Sequence, residues 1–511
     1  MAFSLHALIF ALLLAAAAAN DEPFDVRRHL STVSSYDAAK NVILGSFVPS
    51  SVPDGCRAIH LNLVARHGTR APTKKRIKEM DQLAIRLDAL LTDAKEKTHD
   101  SSLPPNIPSW LSGWQSPWKG RQTGGELISK GEDELYHLGT RIRERFPDLF
   151  DEEYHPHIYS IRATQVPRAS ASAVAFGIGL FSGRGHLGPG KNRAFSVISE
   201  SRASDTCLRF FDSCETYKEY RKHEEPAVSK LKEPVLDGIV VALVSRYQLN
   251  FTRQDVASLW FLCKQEASLL DITNQACGLF NPSEVSLLEW TDDLEAFIVK
   301  GYGNSVNYRM GVPLLEDAVQ SMEQAIVANE ENHKPGNFEK ARLRFAHAET
   351  IVPFTCLLGL FLEGSEFEQI RAEQPLSLPP KPPQKRNWIG RTVAPFAGNN
   401  MLVLYHCPGN LSNDVPSGDH GSKYFVQVLH NEVPVAMPGC GNMELCPFEV
   451  FKEQIVKPHL KHDFNSVCKV KLELPESTKP PSTSCKYSSF FRRLFFGKDS
   501  NTDTGNQKTE L

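Results

Sequence analysis

Three segments of this chain combine a strand pattern with a helical pattern directly after it. In residues 57–68, apolar and polar side chains alternate with a period of two, which is typical of a β-strand, and apolar residues then recur at helical spacing. The three strand and helix pairs are 57–68 with 77–91, 157–165 with 170–181, and 341–350 with 351–364. This alternation predicts an α/β fold built around a central sheet.

Charged side chains stand at or just after the end of each predicted strand. They are Arg66 and His67 after the first, Arg162 at the second, and His347 and Glu349 after the third. Ligands of α/β sheets bind outside the carboxyl ends of the strands. We therefore expect these side chains to meet at one edge of one sheet and to form the functional site.

Periodicity and composition divide the chain after residue 19 into four segments. Residues 20–199 and 331–475 carry the α/β pattern, and we expect them to form the three-layer core. Residues 200–330 have helical periodicity with few strand-forming residues, which predicts an inserted, mainly helical cap domain. Residues 476–511 are polar and rich in Pro, Ser and Thr, so we expect a mostly disordered tail.

The amino terminus predicts entry into the secretory pathway. Residues 1–19 contain an apolar run too short to span a bilayer, followed by small and then polar residues, as in a cleaved signal peptide. No later stretch reaches the length of a membrane span, and a formal net charge of −3 disfavours a nucleic-acid-binding protein. The last four residues, 508–511, read KTEL, a variant of the KDEL retention signal, so we expect the lumen of the endoplasmic reticulum or, alternatively, an extracellular or vacuolar destination.

In an oxidising compartment, the eleven cysteines become disulfide candidates, although spacing alone leaves the connectivity open. The odd count leaves at least one free thiol, for which we expect Cys356 in its apolar run. Asn250 and Asn410 lie in N-glycosylation sequences. The candidate disulfide cysteines are Cys56, Cys263, Cys277, Cys407, Cys440 and Cys446.

The segment RHGTRAPTKKR at 66–76 has the residue types that phosphate chemistry requires. Arg66 and Arg70 offer planar guanidiniums that match phosphate oxygens, and His67 can act as a nucleophile. Gly68 allows close backbone approach in the turn. The alternative is an ordinary solvated basic loop, which the full length of the segment and its strand–turn–helix setting disfavour.

RHGTRAPTK resembles the signature of the histidine acid phosphatases, branch 2 of the histidine phosphatase superfamily, whose fold is a phosphoglycerate-mutase-like α/β core with a helical cap. The resemblance implies that His67 is phosphorylated during catalysis and that Arg66 and Arg70 bind the transferring phosphate. It also implies a reaction without a metal or cofactor. The segment IRATQVPRASASA at 161–173 resembles a second family region, which implies Arg162 as a third phosphate ligand, with Thr164 and Arg168 in support.

The triplet His347-Ala348-Glu349 resembles the multiple inositol-polyphosphate phosphatase and phytase branch, because most acid phosphatases of the family have His-Asp here. The resemblance implies that His347 contacts the phosphate and that Glu349 is the proton donor. A zinc deaminase also uses His-x-Glu, but its C-x-x-C is missing. Residues 128–147 and 207–217 resemble further parts of the same branch, so the likeness extends from residue 57 to about 450.

Positive charge continues beyond the reaction centre at Thr73, Lys74 and Lys75, followed by Arg76 and Lys78. A substrate with many phosphates would use such an extension, whereas a solvated helix start is the alternative. We therefore expect inositol polyphosphates as substrates, phytate first, and a monomer. The alternatives are a secreted acid phosphatase of broad specificity, a catalytically silent polyanion-binding protein, and a phosphoglycerate-mutase-like enzyme, which the secretory signals disfavour.

Overall fold

A mixed β-sheet runs through the centre of the chain in the computed structural model, which describes residues 23–43, 52–98, 105–408 and 423–469. Its strand order is β2-β3-β1-β4-β5-β6, and β7 pairs with β5. The strands are β1 (Arg57–Arg66), β2 (Tyr159–Ala163), β3 (Ala341–Ala346), β4 (Asn399–His406), β5 (Tyr424–His430), β6 (Val433–Pro434) and β7 (Leu445–Pro447).

The three strands predicted from the sequence form the parallel part of this sheet. β3 lies between β2 and β1 and is parallel to both. β4 pairs antiparallel with β1, and β5 continues antiparallel beyond it. Because β1, β2 and β3 run the same way, the residues that follow them lie at one edge of the sheet.

Helices cover the sheet and fill the interval between β2 and β3. The α-helices are α1 (Tyr36–Ile43), α2 (Lys74–Thr98), α3 (Ser129–Arg145), α4 (Pro167–Phe181), α5 (Phe210–Ser213), α6 (Glu215–Tyr247), α7 (Arg253–Leu269), α8 (Pro282–Lys300), α9 (Ser305–Arg309), α10 (Val312–Glu330), α11 (Ala348–Leu357), α12 (Glu366–Arg371), α13 (Gly390–Val393), α14 (Phe448–Phe451), α15 (Lys457–Leu460) and α16 (Phe464–Cys468). A π-helical turn, Lys452–Val456, connects α14 to α15.

The two faces of β1 define the layers of the core. Leu61, Leu63 and Ala65 are fully buried in a hydrophobic cluster that includes residues of α3 and α4. Asn62 points to the opposite face, where its Nδ2 donates to Ser321 Oγ of α10 at 2.9 Å. The sheet therefore lies between two helical layers, as expected for the three-layer α/β fold.

All residues from 200 to 330 are described, and their α-helices are α5 to α10 without a strand. The boundaries of a separate cap domain stay a prediction. The helix after β3 differs from expectation, because α11 begins at Ala348 and ends at Leu357 instead of spanning 351–364. Gly359 has a φ of +71°, a left-handed conformation that commonly follows the end of a helix.

The structure contains the disulfides Cys56–Cys407, Cys263–Cys277 and Cys440–Cys446, together with Cys214–Cys468, which joins two cysteines outside the candidate set. Within the described residues, Cys356 is free and buried, and Cys207 is buried. Asn250 is exposed. No helix in the described ranges is long and apolar enough to cross a membrane. The signal peptide, Asn410 and the tail with its KTEL end lie outside the described residues.

Candidate active site

Backbone hydrogen bonds to three other segments fix the turn after β1. His67 N donates to Ala346 O at the end of β3, and Ala397 N donates to His67 O. Further along, Ala71 N donates to Glu126 O at 2.9 Å. The predicted strand-to-helix turn is therefore fixed against the sheet before α2 begins at Lys74.

Close backbone packing explains the glycine of the RHG sequence. A Cβ at Gly68 would lie 2.3 Å from the carbonyl oxygen of Gly131, which is in the first turn of α3. Glu134 of α3 then accepts from Thr69 N at 2.7 Å and from Thr69 Oγ1 at 2.8 Å. A side chain at residue 68 would push α3 away and break this anchor.

His67 is 2% exposed, and its ring has a defined tautomer. Its Nδ1 lies 2.9 Å from Gly68 O. Because a carbonyl oxygen only accepts, Nδ1 must carry the proton, and the Nε2 lone pair stays free. Burial, followed by the charge of Arg66, lowers the pKa of His67 well below its usual value, so the ring is neutral and nucleophilic.

Two arginines of the same turn flank this histidine. Arg66 donates through one Nη to Ala394 O at 2.7 Å, and its guanidinium lies 4.4 Å from the centre of the Phe396 ring. Burial, assisted by Arg70, lowers the pKa of Arg66 to about 9, and burial also lowers that of Arg70. A bound anion would therefore stabilise the charged forms of both arginines.

Arg168 belongs to the same group. It lies in the first turn of α4, and its Nη2 is 3.3 Å from His347 Nδ1. Burial and the charge of Arg70 lower its pKa to about 10, and Arg168 is among the charges that lower the pKa of His67. Thr164 also joins the site, since its Oγ1 is 2.9 Å from His347 Nε2.

Arg162, the predicted third phosphate ligand, lies behind the level of Arg66 on its own strand. Arg162 pairs in register with Arg344, which in turn pairs with Val64 of β1. It therefore lies two residues before the level of Arg66, roughly 7 Å back along the strand direction. Its charge contributes to lowering the pKa of the buried Asp317. Arg168, which the sequence assigned only a supporting part, lies beside the imidazoles instead.

His347 caps the amino terminus of α11 and is 2% exposed. Its ring centre is 5.5 Å from that of His67. Burial and Arg168 lower its pKa to about 3, so the ring is neutral near neutral pH. Arg209, which sequence reasoning missed, is 4% exposed and approaches His347 Nε2 with Nη1 at 3.1 Å. Its signal was present within 207–217, the stretch already singled out as family-like.

Glu349 lies in the first turn of α11 and forms an ion pair with a residue that the sequence did not indicate. Lys300 Nζ, at the end of α8, is 3.0 Å from Glu349 Oε1. Burial alone would raise the pKa of Glu349, but Lys300 and His347 reverse this and hold it well below its ordinary range. The contact with Lys300 therefore favours the ionised form of this carboxylate.

Thr73 lies near the cluster, and Lys74 and Lys75 follow it at the start of α2. Thr73 O accepts from Ile77 N in the first turn of α2, and the two lysines are exposed. A Cβ at Gly125 would lie within 3.9 Å of both the Thr73 methyl group and an Arg168 nitrogen, so Thr73 is close to the arginines. In the described part of the chain, no group of three or more His, Cys, Asp or Glu residues is arranged to hold a metal ion.

The fold and the site together define a histidine-centred anion-binding enzyme scaffold. Residues 59–431 match the model of the histidine phosphatase superfamily, branch 2. This match covers well over half of the chain, and the protein belongs to that family.

Relatives of known name agree with this membership. Multiple inositol polyphosphate phosphatase 1 of Gallus gallus is 27% identical over 424 residues, covering 81% of this chain and 85% of the relative. The Homo sapiens protein of the same name is 26% identical, with 74% and 77% covered. A thiamine-repressible acid phosphatase of Schizosaccharomyces pombe is 25% identical, with 82% and 83% covered.

Solved structures share the fold. The phytase from D. castellii matches with a TM-score of 0.62 at 16% identity, covering 89% of this chain and 92% of the other. The multiple inositol polyphosphate phosphatase of Bifidobacterium longum, solved in complex with inositol hexasulfate, matches with a TM-score of 0.58 at 18% identity, covering 84% and 98%. The predicted α/β histidine phosphatase fold is thereby confirmed.

Proposed function

We propose that this protein is a phosphomonoesterase that removes phosphate groups from inositol polyphosphates through a phosphohistidine on His67, without a metal. One observation carries the proposal. The Nδ1–H of His67 is committed to Gly68 O, which leaves Nε2 as the free nucleophilic atom beside Arg66, Arg70 and Arg168. Such an arrangement fits attack on a phosphorus atom whose oxygens are bound by arginines.

The reaction would proceed in two displacements. His67 Nε2 attacks phosphorus, a P–N bond forms, and the P–O bond to the inositol oxygen breaks as Glu349 gives that oxygen a proton. A water molecule then loses a proton to Glu349 and attacks the phosphohistidine, which breaks the P–N bond and releases inorganic phosphate. The three arginines stabilise the charge on the non-bridging oxygens in both steps.

The residues around His347 would complete the phosphate cradle. In place of Arg162, we assign Arg168 as the third arginine, because it contacts His347 and influences the charge state of His67. Arg209 and Thr164 contact His347 Nε2, so they would orient its ring toward the phosphate. Such orientation matters because small misplacements of a catalytic group are costly.

Positive charge around the cluster supports a polyphosphate substrate. Thr73, Lys74 and Lys75 extend the site along the start of α2. On the α6 side, a groove of about 570 Å³ is lined by three cations, Lys218, Arg221 and Lys222, and by two carboxylates, Asp212 and Glu225. Phe211 also lines this groove, and its ring centre is 6.1 Å from that of His347, so the groove adjoins the reaction centre. The names of the Gallus gallus and Homo sapiens relatives agree with this substrate class.

A broad-specificity acid phosphatase is the second candidate, favoured by the likeness to the Schizosaccharomyces pombe enzyme. Preference for phytate over p-nitrophenyl phosphate separates the two. The silent polyanion-binding alternative predicts tight phytate binding without release of phosphate.

We also propose passage through the secretory pathway. The described residues contain four disulfides, which persist in oxidising compartments. An exposed Asn250 in an N-x-T sequence is available for glycosylation, and the KTEL end supports retention in the endoplasmic reticulum.

Phosphate release from phytate in the presence of EDTA tests the proposed reaction. The wild-type protein should release phosphate, and His67→Ala should lose turnover by on the order of 10⁴-fold or more, because the nucleophile is gone. His223→Ala serves as the matched control, since His223 lies on α6 with an 84% exposed side chain. Substantial release by folded His67→Ala would refute the nucleophile, and loss of wild-type release in EDTA would refute metal independence.

A further inference from the structure

Glu349, the proposed proton donor, forms an ion pair with Lys300 at the end of α8. We propose that Lys300 is a positioning residue that keeps Glu349 ionised until a substrate phosphate arrives, and so determines the upper pH limit of the protonation step. This inference rests on the proposed function. Assigning Glu349 as proton donor does not say under which conditions it carries a proton, and Lys300 sets those conditions.

The geometry of the pair is direct. Lys300 is the last residue of α8, and Glu349 is the second residue of α11, so the contact joins two elements from different parts of the chain. The two side chains are 21% and 27% exposed, and the Nζ–Oε1 distance is 3.0 Å. Both groups are therefore partly accessible from solvent, and an entering ligand can contact either of them.

Glu349 is surrounded by cations from each element packed near it. The cations are Lys300 from α8, Arg66 and Arg70 from the turn after β1, Arg168 from α4 and Arg221 from α6. The titratable groups Tyr217 of α6 and His347 also interact with Glu349.

Most of these cations have other partners. Arg66 donates to the carbonyls of Thr32 and Ala394, and Arg221 donates to Glu225. Among the described residues, Lys300 is the side chain that forms an ion pair with Glu349.

An ionised carboxylate cannot donate a proton to a leaving group. A substrate that presents several phosphates brings negative charge to the same cations, and a lysine ammonium on its flexible stem can turn toward a phosphate oxygen. When Lys300 turns away, the pKa of Glu349 rises, and the carboxyl takes up a proton. The ion pair thus links substrate binding to the protonation of Glu349.

The sign of the pH effect follows from this coupling. Lys300 lowers the pKa of Glu349, so its removal raises that pKa and keeps Glu349 protonated to a higher pH. For a substrate with a poor leaving group, the descending, alkaline limb of kcat/KM then moves to higher pH. An opposite charge at this distance changes a carboxyl pKa by roughly 1 unit or more, so the limb should move by about that amount.

The experiment compares pH profiles of kcat/KM for phytate in the wild type, Lys300→Gln and Lys300→Arg. Lys300→Gln should move the alkaline limb upward by about 1 pH unit, equivalent to about tenfold higher relative activity on that limb. Lys300→Arg keeps the charge and should leave the limb in place. With p-nitrophenyl phosphate, whose leaving group needs little protonation, the limb should stay unchanged in all three proteins.

Lys232→Gln is the matched control, because Lys232 pairs with Glu295 and its side chain is 17% exposed. A merely structural role of Lys300 predicts uniform loss of activity without a moved limb, and that result would overturn the proposal. An equal shift in Lys232→Gln, or in Lys300→Arg, would overturn it as well. If Lys300→Gln fails to fold, Lys300→Met provides the same test. No release by the wild type would instead refute the proposed function.

Discussion

Two buried polar clusters lie on this sheet, about two residues apart along the strands, and they are balanced in opposite ways. The edge cluster comprises Arg66, His67, Arg70, Arg168 and His347. The inner cluster comprises Asn62, Asp317, Arg342 and Arg344. In the inner cluster each charge has an opposite partner, whereas the edge cluster has more cations than nearby carboxylates.

The inner cluster is built for stability. Arg344 is fully buried, donates to Asn62 Oδ1 at 2.9 Å and pairs with Asp317, which also accepts from Arg342 at 2.7 Å. Burial alone would raise the pKa of Asp317, but Arg344 and Arg342 reverse this and hold it at about 2. In the edge cluster, burial and like charges instead lower the pKa of Arg66, Arg168 and both histidines.

The contrast teaches how the same residue type serves two purposes. A buried arginine with a carboxylate partner completes the fold, whereas a buried arginine without one disfavours its own charge until an anion binds. Arg162 and Arg168 are six residues apart in the chain, yet Arg162 acts electrostatically on Asp317 of the inner cluster, whereas Arg168 contacts His347 of the edge cluster.

Neutralising Asp317 should have the largest effect on stability. Asp317→Asn leaves Arg344 and Arg342 buried without their counter-charge, and breaking such a pair costs about 3–5 kcal/mol. Urea unfolding at neutral pH measures this loss. Glu453→Gln, which breaks an exposed pair with Lys457, is the control and should cost about 0–1 kcal/mol. Similar losses in the two variants would remove the distinction between the clusters.

Arg168→Ala and Arg162→Ala form a pair that separates activity from stability. Loss of Arg168 should lower kcat by about 10²–10³-fold, because one preorganised donor to the phosphate is removed. Arg162→Ala should keep kcat near the wild-type value in the folded fraction, because Arg162 lies back along the strand. Measured kcat values with phytate decide the matter, and the reverse ranking would return the third phosphate site to Arg162.

Acidic pH should reduce the contribution of Asp317 to the free energy of unfolding within a defined pH range. The native pKa of Asp317, about 2, is below the unfolded value of about 3.9, so its contribution is complete above about pH 4 and is lost as pH falls toward 2. The loss should be roughly 2–3 kcal/mol. Unfolding free energies measured from pH 5 to pH 2 should show this component in the wild type, and its persistence in Asp317→Asn would contradict the assignment.

The parallel half of the sheet was predictable because β1 and its neighbours have clear patterns followed by helical periodicity. β4 and β5 escaped prediction, since β4 is almost wholly buried and its apolar run has no period-two signature. Family resemblance pointed to Arg66, His67 and His347, which the structure brings together at the sheet edge.

The structure suggests a different division of roles between Arg162 and Arg168, for a physical reason. The strand ends at Ala163 and α4 begins at Pro167, earlier than the apolar run at 170–181 suggested. Arg168 therefore lies on the first helical turn, facing His347, where sequence reasoning assigned it a supporting part. Lys300 is distant in sequence and belongs to no motif, so only the packing of α8 against the core reveals its contact with Glu349.

Detection of the covalent intermediate tests the central claim most directly. Wild-type protein mixed with phytate, quenched within milliseconds under alkaline conditions and digested, should yield a phosphorylated peptide with the phosphate on His67 in its mass spectrum. The same adduct should be missing in His67→Ala. Phosphate on a different residue, or steady turnover without an adduct at any quench time, would contradict the account.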